Sequence, residues 1–497
     1  MEHPNTPKEV QECATACDVD PALVQKMILA TQDQAYCMDY HIRTRAYTTQ
    51  VVMQFTGEPD LEYLYTVWEA IHARHDILRT RLVKLGTNVW QVVIKKSPVW
   101  RETIGLQEYL EEDQKDCFGY GDPLFRFALV HQDHPQIWSV LTAHGSAVDE
   151  WTLRLLWRDL RAACWDIEEY KSRPPAPAFS DYVPFEWRDS ENTAAVEHWK
   201  EVLKGFSIIA KVYPLQTDEK RKVCIARWEL PKLLHLPPTS SFHARVILAH
   251  IAWALTLFTL SGFEDILFLT MSPCRSIPVL NVGNIMGPIA HTTPIRVSIK
   301  PNTDLRALGR SISEQFALMI GFEHQADLSL LEQQYVSNPF LLDLRSHGSL
   351  IIDSTYHTLT IVPREKDHGL TNTQIRQSVF AYHPAEYDLF RASVDREIPI
   401  HTPDKLSGQL DPRSDLSTPL TYDHGLMVEV QDCVDYVKIG ASWDHRLMEP
   451  EKVDAMEEMF RSYFGKIVRI GGEGRVEGVV GKGPGDLRSS GQHALGL

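Results

Sequence analysis

Two side chains five positions apart, His144 and Asp149, are the first place in this sequence where residue types and spacing could do chemistry. An imidazole exchanges a proton near neutral pH, and a carboxylate beside it orients the ring or stabilises its charged form. They lie within Ile137 to Trp165, IWSVLTAHGSAVDEWTLRLLWRDLRAACW. Trp138, Val140, Thr142 and His144 share one face at period two, which predicts a strand. Leu153, Leu156, Trp157, Leu160 and Cys164 recur at helical spacing after Asp149. The pair therefore stands at the two ends of a short polar loop between strand and helix, where a rigid scaffold presents side chains to a cleft. A plainer arrangement fits the same spacing: Asp149 caps the helix and His144 makes a buried hydrogen bond. The residues alone leave both readings open.

The rest of the chain bounds what such a loop can serve. With 497 residues and 43% hydrophobic side chains, it is long enough for two or three domains and a sizeable core. A formal charge of −16 argues against a nucleic-acid groove or an anionic membrane surface as the main partner. The longest apolar run, Val246 to Leu260, contains His250 and is shorter than the ~20 residues a membrane span needs. It reads as a buried helix, with Ser241 as its cap and Gly262 near its end. The amino terminus, MEHPNTPKEVQE, lacks the basic and apolar regions of a secretory signal, so a cytoplasmic protein with no membrane partner is expected. Eight scattered cysteines form no zinc-like pair of pairs, and no metal is expected.

Along the chain, Asp20-Pro21 marks a turn, and Leu23, Met27 and Ala30 after it predict a helix. A strand is expected from Tyr47 to Phe55, and Leu61, Leu64, Val67, Trp68 and Ile71 give the next helix. The pattern weakens around Gly205 to Glu219, where a lobe boundary is placed. A second α/β layer follows. Its strand DILFLTMSPCRS leads to Arg275, the strand NIMGPIAHTTPIRVSI carries His291, and Leu305, Leu308, Ile312 and Phe316 mark a helix. Beyond Ile470 the glycine-rich residues 471–497 read as a disordered tail.

The run HGSAVDEWTLRLLWRDL resembles the core motif of the condensation domains of nonribosomal peptide synthetases, His-His-x-x-x-Asp-Gly followed by a leucine-rich helix. His144 matches the first His and Asp149 the Asp, whereas Gly145 replaces the second His and Glu150 the Gly. RHDILRTRL, NIMGPIAHTTPIRVSI and GFEHQADLSLLEQ resemble further family segments. The resemblance implies an α/β fold of two chloramphenicol-acetyltransferase-like lobes in a V-shaped pseudo-dimer with a central tunnel. It places the amino-terminal lobe at 15–205 and the carboxy-terminal lobe at 220–470. It covers the folded chain, so a freestanding condensation-like protein is expected.

The resemblance also implies roles. Arg79 would form a structural ion pair with Asp149, and Gly145, Ser146 and Arg275 would line the tunnel. With no His at 145, His144 and His291 become the candidate bases, and Thr152 stands where the cyclisation variant of the motif has Ser. No cofactor would be resident. Small-molecule substrates would arrive on phosphopantetheine arms of a carrier protein from a peptide synthetase or polyketide synthase. Three activities fit: a non-standard amide-forming, ester-forming, cyclising or dehydrating step on a carrier-bound or released intermediate; a non-catalytic module that recruits a carrier protein or tailoring oxidase; and a coenzyme A-dependent acyltransferase. The last needs His-x-x-x-Asp, and from His144 the spacing here is one residue too long.

Overall fold

The structure, a computed structural model, describes residues 6–56, 59–131, 137–189, 193–205, 223–230, 242–323, 348–353, 358–363, 378–383, 398–399, 409–411, 426–432, 437–445 and 450–481. The chain divides into two compact units. The first comprises Met1–Glu191, Arg275–Ala290 and Leu389–Tyr422; the second comprises Asn192–Cys274, His291–Asp388 and Asp423–Leu497.

In the first unit, a six-stranded sheet runs in the order Ile398–Pro399, Gln409–Asp411, Thr48–Thr56, Ile137–His144, Phe125–His131, Trp100–Ile104. Its pairs are antiparallel except the last, which is parallel. Register aligns Val52 with Val140 and Val140 with Ala128. These side chains form one apolar face, and the Leu106–Lys115 helix covers it with Leu106, Tyr109 and Leu110. The motif strand therefore lies inside the sheet, which is why its end is rigid. A smaller antiparallel sheet joins Val24–Leu29, Asn88–Ile94 and Thr80–Leu85.

That smaller sheet corrects one expectation. Leu23 to Ala30 is not helical: a single turn at Pro21–Leu23 leads into the strand Val24–Leu29. The spacing of Leu23 and Met27 imitates a helix, but pairing with Asn88–Ile94 buries Met27 against Val83, Val92 and Ile94. Tertiary pairing outweighs the local periodicity.

The second unit has its own six-stranded mixed sheet, in the order His291–Ser298, Asp265–Ser272, Ser378–His383, Leu426–Asp432, Val437–Asp444, Val223–Leu230. The apolar helix Phe242–Ser261 is its centre, packed by Pro450–Arg469 and Leu305–Met319. Ala249, Ala252, Trp253, Ala254, Leu255 and Phe258 are all buried, as a helix apolar on every side requires. Gly262 ends the helix in the left-handed region at φ +70°, its amide donating to Phe258 O. Ser241, its expected cap, lies outside the described residues. Among the described residues no helix is long and apolar enough to cross a membrane.

Three boundaries differ from the sequence reading. The Thr193–Leu203 helix packs with the second unit, where Trp199 and Leu203 enter its core and Trp199 Nε1 donates to Phe322 O at 3.0 Å. Arg275–Ala290 packs with the first unit, although it is flanked in sequence by strands of the second. Residues 471–481 are ordered. Val476, Val479 and Val480 are buried in the second core, and Glu477 N donates to Pro301 O at 2.8 Å. The three valines supply the apolar contact that glycine-rich composition concealed. The rest of the expected tail lies outside the described residues.

Candidate functional site

His144 closes its strand with its amide donating to Leu124 O, and the next amide, Gly145 N, donates to Tyr47 O at 2.7 Å. A tight turn follows in which Ala147 N returns to His144 O. The His144 ring is 0% exposed. Its Nδ1 accepts the Ser146 amide at 3.1 Å and lies 2.7 Å from Ser146 Oγ, while buried Nε2 has no partner. With Nδ1 accepting, the proton of the neutral ring sits on Nε2. Burial, reinforced by the neighbouring His41 and the Arg126 charge, which oppose a second positive charge, holds the imidazole well below its usual pKa. His144 is therefore a neutral ring sealed between His41 and Phe118, whose ring centres lie 4.8 and 5.4 Å away.

His41, which the sequence did not single out, supports this arrangement. Its Nδ1 donates to Ala46 O at 2.6 Å and its Nε2 accepts the Phe118 amide at 3.1 Å, so both ring nitrogens are satisfied. Gln34, from the same Gln32–Thr44 helix, donates to Ser146 O at 2.9 Å. Ser146, expected along a tunnel, is buried with its hydroxyl against His144.

Position 145 is crowded by a neighbour. A Cβ placed on Gly145 would lie 3.1 Å from both Cβ and Cδ1 of Tyr47. Tyr47 reaches this seat from the left-handed region, φ +64°, a conformation that costs a bulky residue of order 1–2 kcal/mol. Aromatic contacts hold it there, with Tyr36 and Tyr40 ring centres 6.2 and 5.8 Å away. Tyr47, from the adjoining strand end, thus crowds the point from which a side chain at position 145 would start.

Asp149 is the most heavily bonded group in the loop. As the cap of the Glu150–Trp165 helix, its Oδ1 accepts the Thr152 amide and faces the Thr152 hydroxyl, each at 2.6 Å. Its Oδ2 accepts the amides of Ile289 and Ala290 at 3.0 and 3.1 Å and the Arg275 guanidinium at 3.2 Å. The Arg275 and Asp149 side chains are 5% and 6% exposed. Thr152 Oγ1 accepts the Gly287 amide at 2.9 Å, and Trp151 Nε1 donates to Gly283 O at 3.0 Å. Gly287 is required at this approach: its φ is +147° and a Cβ would strike Phe179 at 2.0 Å. These bonds explain why Arg275–Ala290 belongs to the first unit.

The expected Arg79–Asp149 pair is not formed. Arg79 follows the Leu61–Arg74 helix in a single turn that directs its guanidinium to His72 O, Ala73 O and the Gln25 side chain. Asp149 takes its cation from Arg275 instead, so Arg275 is a structural partner rather than an open lining residue. Thr152, which the resemblance set beside His144 and His291 as a catalytic candidate in place of the cyclisation variant's Ser, is fully buried and braces Gly287. His75 and His250 are packed side chains: His75 Nε2 lies 2.8 Å from Asp159, and His250 bonds Val246 O and Thr270.

His291 lies in the second unit, half-buried, opposite Ser272 in the antiparallel register. Beside it is a residue that sequence reasoning missed. Glu323 is 8% exposed; its Oε1 accepts the Ser272 hydroxyl at 2.7 Å, and its buried Oε2 has no donor. Burial raises its pKa, with the Ser272 bond and the charge of His291 opposing. The signal available in sequence was its place next to His324 in GFEHQADLSLLEQ, but nothing there announces burial. Because the folded carboxyl holds its proton more tightly than the unfolded one, stability is full below the ordinary glutamate range. It falls as pH rises towards the raised pKa. Glu323→Gln is therefore expected to raise the melting temperature at pH 7.5, with the gain shrinking towards pH 4; a gain independent of pH would reject the buried charge as its cause.

Comparison with known proteins shows the family and the fold. The Condensation domain family profile matches residues 24–334, more than half of the chain. Nonribosomal peptide synthetase ecdA of Aspergillus rugulosus is 29% identical over 331 residues, covering 64% of this chain and 4% of that protein. Nonribosomal peptide synthetase inpB of Emericella nidulans is 29% identical over 328 residues, covering 64% of this chain and 14% of that protein. The chain thus spans a small part of the curated relatives it matches. Among solved structures, the condensation domain from Monacolin K polyketide synthase MokA superposes with a TM-score of 0.62 at 14% identity, covering 91% of this chain and 99% of that one. Holo T3CT gives 0.67 at 15% identity, covering 95% and 98%. These likenesses establish the fold as that of condensation domains, of the chloramphenicol-acetyltransferase type. Matched by the family profile from residue 24 to residue 334, this chain belongs to the condensation domain family.

Proposed function

We propose that this protein acts on intermediates of nonribosomal-peptide-type biosynthesis and promotes a bond-forming, cyclising or dehydrating step whose proton is taken by His291 rather than by the motif loop. The carrying observation is the buried Glu323 carboxyl beside His291, with one oxygen lacking a donor. A carboxylate near an imidazole supports its charged form through space, and a placed base contributes ~10²–10⁴ in rate. His144 is sealed and neutral, Gly145 has no side chain, and Thr152 is committed to the brace, which leaves the first unit's loop as scaffold. The substrate would be delivered by a carrier protein on a phosphopantetheine arm or taken up as a released intermediate.

The test is intact-mass analysis of carrier-bound and released pathway intermediates with and without the protein. Wild type is expected to change the mass or retention of one intermediate, and His291→Ala to slow that change by ~10²-fold while remaining folded. His144→Ala should cost stability and leave turnover per folded molecule intact. Full turnover by His291→Ala would remove His291 as the base. A second reading is favoured by the absence of a side chain at Gly145 and the crowding of that position by Tyr47: a non-catalytic module that docks a carrier protein or tailoring oxidase. It prevails if no intermediate changes while a carrier or oxidase of the pathway binds tightly.

A further inference from the structure

We propose that the first unit holds a separate small-molecule site, a cavity of about 400 Å³ that takes a flat aromatic anion, a carboxylate or a sulfonate. Its volume falls within the range of small-ligand pockets. None of the motif residues from His144 to Asp149 lines it, so it stands independently of the function proposed above. The cavity lies beside the Trp100–Ile104 edge strand, and Trp100, Tyr109 and Phe127 give it an aromatic wall.

Charge decides the class of ligand. Arg126 and Arg101 line the cavity but are already answered, by Asp113 at 2.8 Å and by Glu112 at 3.1 Å. Asp116 is also met by Arg126, at 3.6 Å, and Asp122 accepts the Gly119 amide but keeps its negative charge, so the lining holds five cations against three carboxylates. Three further cations line the cavity, Arg79, Arg81 and Lys96, and among the described residues none has a carboxylate within ion-pair distance. Arg81 donates only to carbonyls, Cys17 O at 2.6 Å and Gly121 O at 3.0 Å, and Arg79 to carbonyls and Gln25. A carbonyl satisfies a guanidinium hydrogen without cancelling its charge, so the wall keeps a positive potential. The aromatic side supplies a stacking surface, with Trp100 packed on Phe127 at a ring-centre distance of 5.3 Å. A flat ring stacked in this wall with its anionic group towards Lys96 and the arginines meets both sides of the cavity.

The site is tested on the full chain by calorimetric titration with 2-naphthoate and with its neutral counterpart 2-naphthamide, at low and high salt. Naphthoate is expected to bind saturably, roughly tenfold or more tighter than the amide, with the advantage falling as salt rises. Lys96→Gln, an exposed position that folding does not depend on, should weaken naphthoate severalfold and leave the amide unchanged. In ¹⁵N spectra the Trp100 indole signal, assigned by its loss in Trp100→Phe, should shift with naphthoate. Equal affinity for acid and amide, an unchanged naphthoate affinity in Lys96→Gln, or an indole signal that stays in place would each overturn the proposal.

Discussion

Asp149→Ala is expected to destabilise the first unit by ~3–5 kcal/mol, the range for breaking a buried ion pair from one side, and to lower soluble yield accordingly. The substitution strips a charge partner from buried Arg275 and leaves the amides of Thr152, Ile289 and Ala290 without their acceptor. Each orphaned buried donor adds a desolvation cost of its own. Denaturant unfolding of single and double variants separates this account from the alternative pairing. Asp149 and Arg275 should show a coupling energy above ~1 kcal/mol, whereas Asp149 and Arg79 should be additive to within ~0.5 kcal/mol, since they share no bond. Additivity for Asp149 with Arg275, or strong coupling with Arg79, would refute the assignment. Activity lost through this route should track the fraction folded.

Gly145→His is expected to cost ~1–3 kcal/mol through overpacking against Tyr47. The new Cβ would press on the Cβ and Cδ1 of Tyr47 at 3.1 Å, so the tyrosine must give way by a few tenths of an ångström. Tyr47 is held by two aromatic neighbours and by its carbonyl's bond to the Gly145 amide, so it cannot withdraw without losing those contacts. Adding Tyr47→Gly should recover stability, because glycine takes the φ of +64° without strain and removes the side chain that crowds position 145. If Gly145→His alone unfolds at the same denaturant concentration as wild type, the position is open and the steric account fails.

Much of this arrangement was legible in the residues. Period-two alternation from Trp138 to His144 and helical spacing after Asp149 defined the strand, the loop and the capped helix, because those periodicities are imposed by backbone geometry alone. The plainer reading of Asp149 as a cap is the one the structure contains, joined to a wider network. The apolar run ending at Gly262 was recognisable as a buried helix for the same local reason. What the residues could not specify was partnership across long separations. Arg275 reaches Asp149 over 126 positions and Ala290 over 141, whereas Arg79 was matched to Asp149 by family pattern and turns to nearer carbonyls. Strand pairing converted Leu23–Ala30 from an apparent helix to a strand and brought Tyr47 to the side of Gly145. Burial of Glu323 beside His291, and of the valines after Gly474, likewise depends on what the rest of the chain packs over them. Local periodicity is written in neighbouring residues, but the choice among cations, and which side chain crowds position 145, is a competition settled only when distant segments meet.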